Sequence, residues 1–150
     1  MARKTKEITI TAQGSRDKGK TFVIKELPAA EGEDWAMRAL RLAQRSGADI
    51  PGGVQAGMAG IAAIGILTVL EGSSNIDELR PLFADMMRCV KILTDRATYN
   101  LRPLIEDGIN DDIEEIGTRI LLRKEWLNLH LDFSIADALS QLAAQTTSAI

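Results

Sequence analysis

The chain has 150 residues, enough for one domain with a buried core, and its 45% hydrophobic and 26% charged residues are ordinary for a globular protein. One cysteine, Cys89, excludes an internal disulfide scaffold, and Met-Ala-Arg-Lys-Thr-Lys-Glu at the N-terminus lacks the apolar stretch of a secretory signal, so a reducing, intracellular setting is expected. The net charge of −3 is unevenly spread: residues 1–25 hold seven Lys/Arg against two Asp/Glu, and residues 26–150 hold eleven against nineteen. Such a basic start suits either phosphate contacts or lysines that discourage edge-to-edge strand pairing. Without interleaved aromatics or a groove-reading helix, nucleic acid is not the expected partner.

In chain order, Ile8-Thr9-Ile10-Thr11 alternates as a half-exposed strand does. Thr21-Phe22-Val23-Ile24-Lys25-Glu26-Leu27 is β-branched and aromatic and ends at Pro28, which predicts a second strand. Between them GSRDKGKT, Gly14–Thr21, satisfies the phosphate-loop pattern G-x-x-x-x-G-K-[ST]. That pattern binds phosphate only when a helix follows, with its free N–H groups aimed at the anion. A strand follows here, and no apolar strand ends in an Asp placed to hold Mg²⁺. The string therefore predicts the charged turn of a β-hairpin, not a nucleotide site.

Leu27-Pro28-Ala29-Ala30 reads as a linker, and Glu31, Glu33 and Asp34 favour the positive end of a helix. From Trp35 to Ser46, Trp35, Ala39, Leu42 and Ala43 share one face, while Arg38, Arg41 and Arg45 share another. The arginine stripe reads as a solvated face with local ion pairs, or as a docking surface for an acidic partner. After a loop at 46–53, residues 54–70 carry no charge. The run is short for a bilayer span and lacks flanking Lys/Arg and aromatic belts, so a buried central helix is expected.

Leu79, Leu82, Phe83, Met86, Met87, Val90 and Leu93 recur at helical spacing, and Met86-Met87 fits either core or an adaptable binding surface. Thr94–Pro103 has no clear period and reads as a connector. The acids at 106–115 do not follow the calcium-loop order, because Gly108 comes directly after Asp107. Asp111 with Glu114 predicts a capping box instead. The helix so begun has two apolar stripes. Ile113, Ile116, Ile120, Leu127 and Leu131 line one side, and Leu122, Trp126, Leu129 and Phe133 nearly the opposite. Two stripes mean that the helix lies between layers or offers one stripe to another molecule. A short helix from Ile135 to Gln145 completes the series. His130 is the sole histidine, and no second His or Cys stands at metal-ligand spacing, so neither catalytic residues nor a metal or cofactor is expected.

The expected fold is α+β and mostly α: a single domain over 1–150, with a β-hairpin arm over 1–27 and a bundle of about five helices over 31–145.

Several of these stretches in combination resemble the tail assembly chaperones of tailed bacteriophages. They are Arg16–Ala29 leading into Trp35-Ala36-Met37-Arg38-Ala39-Leu40, the Gly/Ala-rich run, and Asp77-Glu78-Leu79-Arg80-Pro81-Leu82 with Met86-Met87. The last is the Ile113–Phe133 stretch ending Trp126-Leu127-Asn128-Leu129-His130-Leu131-Asp132-Phe133. The resemblance covers most of the chain and implies a non-enzymatic protein of the infected host's cytoplasm, absent from the mature virion. Its partners would be the tape measure protein and the tail tube protein, and many such chaperones have a longer frameshifted form. A structural tail or head component held in the particle as a homo-oligomer is the rival reading. No binding residues carry over by resemblance. The candidates, Leu122, Trp126, Leu129, Phe133, Arg38, Arg41 and Arg45, come from the helical wheels alone.

Overall fold

The computed structural model describes residues 3–45 and 76–131. Its elements are β1 (Thr5–Thr9), β2 (Thr21–Lys25), α1 (Ala29–Arg45), α2 (Ile76–Arg88), β3 (Val90–Asp95), β4 (Asn100–Pro103) and α3 (Ile116–Leu131). Among the described residues there are thus three helices and one four-stranded antiparallel sheet of order β1-β2-β3-β4. This overturns the expected bundle of about five helices. The runs 54–70 and 135–145, read as helices from the sequence, lie outside the described residues.

The N-terminal hairpin forms as its alternation requires, in register Thr9↔Thr21, with the two threonine hydroxyls 2.9 Å apart. Pairing runs on past the strands, from Ile10 N–H to the Lys20 carbonyl and from Gly19 N–H to the Ile10 carbonyl. Gly14 and Gly19 both take positive φ, +79° and +89°, which only glycine adopts without strain. The hairpin is not an appended arm. β2 pairs on its other side with β3, and Phe22 and Ile24 are fully buried.

The second correction concerns Val90–Pro103. The helical spacing that runs through Leu79, Leu82, Met86 and Met87 stops at Arg88. Val90-Lys91-Ile92 then alternates buried, exposed, buried, and Val90 and Ile92 are β-branched. So short an apolar run fits either period, and the edge offered by β2 decides for a strand. The stretch read as a connector is the second hairpin. Its turn is set by Asp95 Oδ1 accepting from the Ala97 N–H and by Tyr99 at φ 51°. Thr94 and Asn100 brace its base through their side chains.

α1 begins at Ala29, directly after Pro28, earlier than its apolar face suggests, because proline is tolerated at a helix start. Trp35, Ala39 and Leu42 are its buried face, and the Trp35 indole donates to the Leu82 carbonyl at 3.1 Å, tying α1 to α2. α2 packs on α1, α3 and β3, and α3 crosses β1 and β2. One core joins Phe22, Ile24, Trp35, Leu82, Met86 and Trp126. Met86 and Met87 both belong to it.

Candidate partner-binding surface

The Gly14–Thr21 loop turns its charges inward. The Asp17 carboxylate is fully buried, 97 or more residues in sequence from its main partners at the start of α3. It accepts from the N–H of Glu114 at 2.9 Å, the N–H of Glu115 at 3.0 Å and the Thr118 hydroxyl at 2.7 Å. Lys20 Nζ reaches the same carboxylate at 3.0 Å and the Asp112 carbonyl at 2.7 Å. Burial pushes the Asp17 pKa up. The bonds from Thr118, Glu114, Lys20 and Glu115 outweigh this and hold it below the ordinary carboxylate value. Asp17 therefore caps α3 from another part of the chain, meeting the free N–H groups of a helix start with a charge that its dipole favours.

The local capping box is corrected accordingly: Asp111 accepts from the Gly108 N–H, and α3 starts only at Ile116. Its neighbour Asp112 receives both Arg102 guanidinium nitrogens at 2.7 Å and the Ile105 N–H at 2.6 Å. The Arg102 fork first, against the cost of burial, keeps the Asp112 pKa low. The invariant lysine position of the phosphate-loop pattern is thus committed to structure. Among the described residues no group of His, Cys, Asp and Glu is placed to hold a metal ion.

The two stripes of α3 are assigned by packing. Leu122 and Trp126, 0% and 2% exposed, lie inside the domain, so neither offers surface to a partner in this fold. Leu129 is partly buried against the same core, and Phe133 lies outside the described residues. The Trp126 ring packs in tilted contact with Trp35, centroids 4.6 Å apart, and with His130, centroids 3.9 Å apart. His130 Nε2 accepts from the Leu27 N–H at 2.9 Å, so the ring proton sits on Nδ1 and faces the Trp126 carbonyl at 2.8 Å. Burial lowers the His130 pKa, only partly countered by that carbonyl and by Glu26. With both nitrogens engaged, the ring is an internal strut, not a proton shuttle. A cleft of about 370 Å³ opens beside it, lined by Met37, Trp35 and Leu127 among others.

The outward side of α3 carries the other stripe in its first half. Ile116 is 78% exposed and Ile120, one turn on, 47%; Ile109 in the preceding loop is 85% exposed. Ile113 and Leu127, which share that side on the wheel, are buried. The helical wheel contained Ile116 and Ile120 but gave no sign of which stripe faces out. Large aromatics such as Trp126 serve cores as well as interfaces, so residue type did not separate the two.

The arginine stripe on α1 divides likewise. Arg38 binds Asp34 on its own helix and Asp85 on α2, chiefly the latter, which raises its pKa. It is a structural clamp. Arg41 is exposed, and the side chain of Arg45 lies outside the described set. Much of the basic N-terminus is also answered internally: Lys6 meets Glu125 at 2.6 Å, Arg16 meets Glu115 at 2.9 Å, and Lys4 lies 3.9 Å from Glu26. Among the described residues no helix is long and apolar enough to cross a membrane. Comparison with protein-family models, curated proteins and solved structures finds no match to this chain.

Proposed function

We propose that this chain is a non-enzymatic tail assembly chaperone of the tailed-bacteriophage kind, which covers amphipathic helices of the tape measure protein in the infected cell. The observation that carries the binding surface is the outward pair Ile116 and Ile120 on a helix whose other side is core. The resemblance in sequence supplies the client. Single exposed apolar side chains are common on soluble proteins, but two bulky β-branched residues one helical turn apart form a strip onto which a partner helix can lay its own apolar face. Burying each contributes about 1.5–3 kcal/mol at most. Contacts of that size release readily, and repetition along an extended client supplies the avidity. Exposed Arg41 is free of the Asp34–Asp85 clamp that holds Arg38, and it remains the α1 candidate for steering acidic segments.

Co-expression and pull-down with the tape measure protein of the same genome tests this reading. The native chain should retain the client, and Ile116→Ser/Ile120→Ser should lose it while staying folded. Undiminished capture by the double variant, or stoichiometric presence of the chain in purified virions, would overturn it. The second result would favour the structural-component reading.

A further inference from the structure

A second concavity, a groove of about 480 Å³, lies between α2, α3 and the segment leaving β4. Phe83, Met87, Val90 and Leu104 give it an apolar floor, and Arg80, Arg88 and Arg119 stand around it. Each of these three arginines has a carboxylate: Asp77 for Arg80, Asp85 for Arg88 and Glu106 for Arg119. Arg123 does not. Its guanidinium carbon stands 4.4 Å from the centroid of the Phe83 ring, and it forms no ion pair or hydrogen bond among the described residues.

That guanidinium is half-buried, and burial first, then repulsion from Arg119, depresses its pKa. A partly dehydrated cation beside a like charge is unfavourable unless an anion is supplied, and an aromatic face offsets only part of the cost. We propose that the groove receives an acidic amphipathic segment of a partner protein, its apolar side chains on the Phe83–Leu104 floor and a carboxylate on Arg123. Nucleic acid would meet the arginines but leave the apolar floor unfilled, whereas an amphipathic helix satisfies both. On α3 Arg123 follows Ile120 by three residues and Ile116 by seven, so the groove adjoins the isoleucine strip. The proposal rests on Arg123 and the groove floor and does not depend on the chaperone reading.

The test uses the full-length protein and a fluorescently labelled synthetic helical peptide with leucines on one face and glutamates flanking them. Its controls are the same peptide with glutamine for glutamate and a single-stranded oligodeoxynucleotide. The glutamate peptide should bind, and both the glutamine peptide and the Arg123→Met variant should weaken binding about tenfold. The Tm of Arg123→Met should not fall, because methionine keeps an apolar contact over Phe83 without the stranded charge. Absent peptide binding, or equal binding by Arg123→Met, overturns the proposal. So does a Tm loss of several degrees, which would make Arg123 structural. An Arg123-dependent affinity for the oligonucleotide that matches the peptide's would assign the groove to nucleic acid. Dissociation of a self-associated species by Arg123→Met, without peptide binding, would assign it to a second copy of the chain.

Discussion

Asp17 shows how much one side chain can hold. Two backbone N–H groups, a hydroxyl and an ammonium converge on a carboxylate with no exposed surface. Removing it strands the two N–H groups and the Thr118 hydroxyl, while the part-exposed Lys20 keeps the Asp112 carbonyl; such a loss typically costs about 3–5 kcal/mol. Asp17→Ala should therefore lower stability in urea unfolding by about that amount, and Asp17→Asn by less, since the amide oxygen still accepts. Equal stability of the alanine variant would show that water replaces the carboxylate. Nothing in GSRDKGKT announces this role. The string was legible as a turn, from its glycines and the strand after it, but three of the four partners of Asp17 lie about a hundred residues away.

At the scale of elements, α3 is the instructive case. Its two apolar stripes were visible from spacing, but their allocation was not, because burial depends on which side meets α2 and the sheet. Leu122→Ala should cost about 2–5 kcal/mol, whereas Ile120→Ser should stay within about 0.5 kcal/mol. Chemical denaturation of the two variants checks the assignment, and a reversed order would refute it. β3 makes the complementary point. Val90 and Ile92 continue a helical spacing inherited from α2, and local pattern could not reveal that an unpaired edge of β2 waits to take them. Strand pairing satisfies backbone groups that no side-chain count records.

Across the molecule, the opposite charges of the two ends of the sequence become one internal arrangement. Lys6, Arg16 and Lys20 bind carboxylates or carbonyls of residues 112–125, so the basic hairpin docks on the acidic approach to α3. The pH response of the whole fold follows. The folded state disfavours protonated His130, so the unfolded chain binds the extra proton. This contribution is full above the ordinary value near 6.5 and declines as pH falls below it. Asp17, Asp112 and Glu115 have depressed pKa values, and their contributions persist until pH drops below the usual carboxylate range. Thermal midpoints should therefore fall in two stages on acidification, the first beginning near pH 6.5. His130→Gln should flatten that first stage and leave the second. An unaltered first stage would remove His130 as its source.

By itself the sequence determined the N-terminal hairpin, the apolar faces of α1 and α2, the turn character of the phosphate-loop look-alike and the presence of two stripes on α3. Each follows from spacing and backbone preference within a dozen or so residues. Tertiary packing alone settles that Val90–Pro103 is sheet, that Asp17 caps a distant helix, that Leu122 and Trp126 face inward, and that Arg123 has no counter-ion among the described residues. Those outcomes turn on which surfaces meet and which charges are left over when they do. Contacts between distant segments set both, and no local window of residues contains them.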